Sequence, residues 1–447
     1  MVAGGALWFV LGRPLLDAAQ SYIFGLPLVV MDLTREAAVS VPVAGEFTAP
    51  PGQFAIMTKY PDASFRVVPR TGLDTLFATA WADLDAEPLV LSVPDTGGRY
   101  YVIALFDMWS NVFASIGKRT AGAGAENYLI AGPGWDGDAP EDVGQVYRSP
   151  TRWVWVNGQM QADGPKDYAA VNALQRQYRL TPLSQWGEDW SPPATVPVAQ
   201  DAGSGQPVAR IKAMDAGVFY SRLAALMADN PPAPADAAAV ARLARSGVEP
   251  GKPVDLDGLG WSKAWALRTS MRLLGVLEWG ATKGKTDAGW MVMPRDMARW
   301  GTDYVNRAGI SLIGLGAVWP EDIQYPTAFK DGDGKPLDGA NAYVLHFDKG
   351  QTPPNDATWS VSMYDPDGWY VPNALDRFHI APWMPLKTNP DGSLDIWIGA
   401  TSPGAEKEAN WLPAPKSGPF NLTVRIFWPK EAALDGSYSV PPVRRLE

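Results

Sequence analysis

Apolar and polar positions divide the chain into stretches of different period. The segment 14–28 sets Leu15, Ala18, Tyr22 and Ile23 on one helical face, and Pro27 is expected to end it. From 64 to 147 the pattern changes to short runs such as LVLSVP (89–94) and RYYVIALFDMW (99–109), bounded by DTGG and GPGWDG. RWVWVNGQ (152–159) follows, and all three read as strands joined by glycine-rich turns. Asp163 is then placed to cap a helix carrying Tyr168, Val171, Leu174 and Tyr178 on one side.

Residues 186–207 keep no periodic apolar face and are rich in proline and small turn-forming residues, so they are expected to form a boundary or an exposed loop. Helical spacing takes over beyond it, at 211–227, at 236–245 with Asp236 as cap, and at 261–279. It recurs at 303–319, where Gly309, Gly314 and Gly316 point to close backbone packing.

Alternation returns in the last quarter: Tyr343, Leu345 and Phe347; Trp359, Val361 and Met363; Leu394, Ile396 and Ile398. The longest such pattern is Phe420, Leu422, Val424, Ile426 and Trp428. Turns of the type DPDG, NPDG and LDG favour antiparallel connections. The fold class predicted is mainly β with a substantial helical middle region and two antiparallel, sandwich-like lobes.

Composition removes several chemistries. The 447 residues contain no cysteine, which excludes disulfides, thiolate nucleophiles, iron-sulfur clusters and thiolate zinc sites. The two histidines, His346 and His379, cannot make a three-histidine metal site within one chain, and no cofactor or metal is expected. A net charge of −10 and the lack of a basic stripe speak against nucleic-acid binding. No run approaches eighteen consecutive apolar residues, so no integral membrane span is expected. The opening AGGALWFVL (3–11) is expected to be a buried first strand or turn, with a trimmed export signal as the alternative; cytoplasm and periplasm both stay open.

Two long stretches carry a family resemblance. The run DTGGRYYVIALFDMWSNVFASIGKRTAGAGAENYLIAGPGWDG, continued by YRSPTRWVWVNGQMQADGPKDYAAVNALQRQYRLTPL, resembles the bacterial family called domain of unknown function 1254. GKPLDGANAYVLHF, PPNDATWSVSMYD, NPDGSLDIWI and PGAEKEANWLPAPKSGPFNLTVRIFWPKEAALDGSY resemble its usual partner, domain of unknown function 1214. The resemblance implies β-rich, jelly-roll-like lobes: an N-terminal domain at 15–190, a helical middle at 208–320 and a C-terminal domain at 321–445. It implies no reaction. The Asn-Arg-Asp-Thr-Leu-Tyr pattern of related sequences reads here Gly72, Leu73, Asp74, Thr75, Leu76 and Phe77, so only the Asp-Thr-Leu core remains.

Candidate chemistry is densest at 107–124, where Asp107, Trp109, Asn111, Lys118 and Arg119 precede Gly122 and Gly124. A carboxylate facing two cations beside glycine-rich backbone can hold an oxyanion; the structural alternative is an Asp107–Arg119 salt bridge beside turns. Arg66 and Asp74 form a second patch, with an Asx turn or salt bridge as the alternative role for Asp74. Tyr364, Asn410 and Trp411 offer ligand contacts that a packed loop would equally explain. Both histidines sit in strand-like runs and are read as structural, Asp331-Gly332-Asp333-Gly334 as a turn rather than a metal loop, and Asn421-Leu422-Thr423 as strand.

The expected activity is a metal-independent hydrolase acting on a small polar or aromatic substrate. Asp107 or Asp74 would activate water, and Lys118, Arg119 or Arg66 would stabilise developing negative charge. The alternative is a noncatalytic ligand-binding or assembly protein. A homo-oligomer is expected from the twenty tryptophans.

Overall fold

In the N-terminal lobe, strands that alternate apolar residues pack into a two-sheet sandwich. The computed structural model describes residues 8–198, 205–281 and 286–446. β1 (Ala55–Ile56), β2 (Thr75–Asp83), β3 (Leu89–Val93), β4 (Tyr101–Phe106), β5 (Val112–Gly117), β6 (Glu126–Ala131), β7 (Gln145–Arg148), β8 (Trp153–Gln161) and β9 (Arg179–Pro182) form two sheets, ordered β1-β2-β8-β4-β5 and β7-β6-β3-β9. Leu76, Ala78, Ala80, Val154, Val156 and Met160 point from β2 and β8 into the core between them.

The C-terminal lobe repeats the plan. β10 (Thr286–Asp287), β11 (Trp290–Met291), β12 (Ile323–Gln324), β13 (Thr327–Ala328), β14 (Tyr343–Phe347), β15 (Trp359–Tyr364), β16 (His379–Ile380), β17 (Leu394–Gly399), β18 (Trp411–Pro413), β19 (Asn421–Phe427) and β20 (Val443–Arg445) complete the strands. One sheet runs β10-β11-β13-β19-β15-β16, with β12 also on β19, and the other β18-β17-β14-β20. Pairing is antiparallel except at β6–β7 and β17–β18, where the loops 132–144 and 400–410 carry the chain back to the same end. The architecture is thus two sandwich-like lobes with a helical layer, as the alternation predicts.

Several boundaries differ from the sequence expectation. The first helix runs Arg13–Val39, through Pro27. A proline inside a helix removes one backbone bond, but here every residue from 24 to 33 is buried, and packing on all sides holds the segment helical. Gly25 is needed because a Cβ there would collide with Leu223 of helix Ala216–Asp229. The helix's charges are paired: Asp17 with Arg245, Asp32 with Arg35 and Arg222, Glu36 with Arg210 and Arg222. By length and composition Val10–Val39 could also cross a membrane, and 61% of its most apolar window is buried in this fold.

The opening segment is not a strand where it is described, since Trp8–Gly12 is a helical turn leading into this helix; 3–7 lie outside the described residues. The 211–227 pattern is broken in two, and Asp215 caps the second piece through the Val218 N–H. Asp163 caps nothing; it accepts from Gln161, while Asp167 receives the Asp163 N–H. Asp236 likewise turns away from its helix to accept from Ala233 N–H and the Tyr304 hydroxyl. Of the 186–207 loop, 199–204 lie outside the described residues and Pro207 already opens helix Pro207–Ala213.

Candidate functional site

The two lobes meet across strands whose second face is not spent on their own cores. On β2 the residues alternating with the core set are Thr75, Phe77, Thr79 and Trp81; on β8 they are Trp155, Asn157 and Gln159. On β19 they are Thr423, Arg425 and Phe427, whereas Leu422, Val424 and Ile426 fill the C-terminal core. These faces border a cavity of about 330 Å³, roofed by helix Tyr304–Ile313 and the turn 314–317. Its walls are largely apolar, including Met57, Phe65, Met293, Met297 and the stacked pair Trp81–Trp155, with ring centroids 5.6 Å apart. Its lining includes exposed Glu46, Val67 and Val68 and buried Thr75, Thr327, Thr423 and Arg425.

Arg425 is the charge at the floor. It is 4% exposed, and its guanidinium donates to Ser362 Oγ at 3.1 Å and to the Arg70 carbonyl at 2.5 Å. Its Nε has no protein hydrogen bond among the described residues and faces Gly72, where an added Cβ would stand 3.0 Å from it. Arg70 also lines the cavity; its φ of 56° is a strained conformation for a side-chain-bearing residue, and its guanidinium donates to Asn421 Oδ1 at 2.6 Å. Neither arginine has a carboxylate within ion-pair distance among the described residues.

Asp74 lies behind this floor. One oxygen accepts from Ser360 at 2.8 Å and the other has no hydrogen-bond partner among the described residues. Burial pushes its carboxyl up to about 6 against the opposing pull of Arg425 and the Ser360 bond. Burial, with Arg425 and Arg377 nearby, pushes His379 down to about 3, so its imidazole is neutral near pH 7. His346 is surface-side on β14, its Nδ1 2.6 Å from Asp395, and that bond raises it.

The residues singled out from sequence have other surroundings. Asp107 closes the β4–β5 turn, accepting from the backbone N–H of Trp109 and Asn111 and from the Asn111 amide. Burial raises it to about 6, and the cation whose charge it feels is Arg307. Arg119 pairs instead with buried Asp322 at 2.8 Å, and Lys118 donates to the Gly98 carbonyl. None of Asp107, Lys118 and Arg119 lines this cavity. They are engaged elsewhere: Asp107 satisfies the turn it sits in, and Arg119 neutralises an aspartate 203 positions away.

Arg66 is exposed and lies over Trp369. Trp109 donates to the Asn230 carbonyl, Tyr364 to the Thr71 carbonyl and Trp411 to the Gly399 carbonyl. The Asn410 amide bridges Lys387 and Asp395, fixing a loop. Asp331 closes its own turn on the N–H groups of Asp333 and Lys335, and Asn421 is strand. Only the 66–75 patch touches the cavity, through Arg70, Gly72 and Thr75. Arg425 escaped the sequence reading, although an arginine inside the longest alternating strand was a usable signal.

Fold and site together define a two-lobed sandwich protein with a cavity at the lobe junction. Residues 51–182 match the family described as Protein of unknown function (DUF1254), and residues 322–431 match Protein of unknown function (DUF1214). The chain belongs to the two-domain family that joins these in that order, and the cavity lies where the two meet. No curated protein matches it. Among solved structures it is similar to the VPA0106 protein from Vibrio parahaemolyticus, with 24% identity and a TM-score of 0.69 over 97% of this chain and 100% of that one, a likeness of fold. An uncharacterized protein from Burkholderia cenocepacia aligns with 13% identity and a TM-score of 0.45, over 100% of this chain and 98% of that one.

Proposed function

We propose that the protein binds an amphipathic anion, a carboxylate with an apolar body, in the cavity between its lobes. The observation that carries this reading is a buried arginine, Arg425, lining a mainly apolar cavity, whose Nε has no hydrogen bond among the described residues while its Nη atoms donate to Ser362 and the Arg70 carbonyl. A buried guanidinium without a close counter-ion carries a desolvation cost that a bound carboxylate would offset, and its planar donor edge suits that group. Arg70 adds a second positive charge, and the Trp81–Trp155 pair and the methionines give the body an apolar wall.

The test uses 1-anilinonaphthalene-8-sulfonate as fluorescent probe, with decanoate and decanol as competitors. Decanoate displaces the probe and decanol is at least about tenfold weaker, because a charge-assisted pair separates them. Arg425→Met abolishes probe binding, and Lys118→Met leaves it unchanged. Equal competition by decanol, or full binding to Arg425→Met, rejects the reading.

A hydrolytic reading keeps one support, the Asp74 carboxyl, which titrates near the range of a general base. It requires water to reach a side chain outside the cavity lining. Turnover of 4-nitrophenyl butyrate that disappears in Asp74→Asn while probe binding persists would favour it.

A further inference from the structure

The outer face of the helical layer has a composition unlike the rest of the surface. Helices Trp261–Ser270 and Leu273–Ala281 bury Ala266, Leu267, Leu274 and Leu277 in the helical core. Their outward positions recur at three- and four-residue intervals: Trp261, Trp265, Arg268, Arg272, Val276 and Trp279, all exposed. Trp261 and Trp279 keep 67% and 65% of their surface. A helix on a water-facing surface normally turns polar residues outward. This pair is apolar inward and aromatic outward, with arginines between.

Its charge is as unusual as its apolarity. The exposed side chains between 261 and 280 include Lys263, Arg268 and Arg272 and no carboxylate, since Glu278 is half-buried and pairs with Lys212. The acids just before the helices are exposed Asp255 and Asp257, the latter 3.5 Å from Arg268 in a solvated pair. This local positive face stands on a chain of net charge −10. The start of the long helix adjoins it: Arg13 and Lys263 border one groove, and Val10 and Leu16 are 44% and 46% exposed.

We infer that this face docks on an anionic lipid bilayer, with the tryptophans at headgroup depth and the arginines and lysine on lipid phosphates. Indole rings favour the membrane–water boundary, and basic side chains beside them are drawn to anionic lipid. A second copy of the chain fits less well, because a two-fold contact on this face would bring Arg268 and Arg272 toward their own counterparts. The inference is independent of what the cavity binds.

The test is cosedimentation of the full chain with phosphatidylcholine vesicles, with and without about a third phosphatidylglycerol. Binding is expected to the anionic vesicles, at least about tenfold weaker to the neutral ones, and weakened by salt. The triple variant Trp261→Ser, Trp265→Ser, Trp279→Ser lowers binding at least about tenfold. Arg268→Gln with Arg272→Gln removes most of the salt dependence. These side chains are exposed, and an unchanged thermal transition confirms folding. Failure of the wild type to bind, or wild-type binding by the triple variant, overturns the inference. A concentration-dependent mass in light scattering that the triple variant abolishes, without vesicle binding, assigns the face to a second copy and also overturns it.

Discussion

The segment 107–119, the β4–β5 turn and β5 with its end, and the floor of the inter-lobe cavity contain similar residue types with opposite consequences. In that segment, Asp107, Asn111, Lys118 and Arg119 are close in sequence, and each meets a partner that stabilises the fold. At and just behind the floor, Arg425 and Asp74 come from opposite lobes, 351 positions apart by residue number, and among the described residues leave the Arg425 Nε and one Asp74 oxygen without a hydrogen bond. Asp107 and Asn111 satisfy one another within their turn, and Lys118 and Arg119 find partners outside it, at the Gly98 carbonyl and Asp322. Polar groups on the second face of buried strands are satisfied only by what the other lobe, or a ligand, brings.

The most damaging change should be at the floor. Arg425→Met removes the buried charged donor to Ser362 Oγ and the Arg70 carbonyl, and a loss of about 3 kcal/mol is expected in urea unfolding at pH 7. A loss below about 1 kcal/mol would show that these bonds add little to the folded state.

Titration separates the regions next. Burial holds both Asp74 and Asp107 above the ordinary aspartate value of 3.8, at about 6. For each, folding favours the protonated carboxyl, so the stability it contributes is fully present below pH 3.8 and is lost as pH rises through about 6. Asp74→Asn and Asp107→Asn should therefore each gain stability relative to wild type across that window, by about 2–3 kcal/mol. Measuring the difference from wild type cancels the opposite trend of paired acids such as Asp17 and Glu36, which their arginines hold low against burial. Asp107→Asn should leave probe binding intact. A flat difference curve for either variant would mean that its carboxyl is not shifted in the folded protein.

The smallest effect is expected at Lys118, whose contacts are a carbonyl and the edge of the Trp428 cation–π pair at 5.8 Å. Lys118→Met should cost under about 1 kcal/mol. A larger loss would place the 107–119 loop under electrostatic constraint beyond these contacts.

Much of the architecture was determined by the sequence itself. Short apolar runs between glycine-rich turns marked β4 and β8, alternation at period two marked β14, β15, β17 and β19, and helical spacing marked the middle region, because each side chain's choice between core and surface is written in its own polarity. The lack of cysteine fixed which chemistries are impossible. Only the tertiary structure decided that Pro27 stays inside a helix, since burial on all sides there outweighs one missing backbone bond. It also decided the cavity. Phe77 and Asn157 face it only because β2 pairs β8 with their second faces toward the other lobe, and Gly72 matters only because Arg425 arrives beside it from near the opposite end of the chain. Local pattern specifies which face a residue takes; which distant face it then meets is set by the packing of the whole chain.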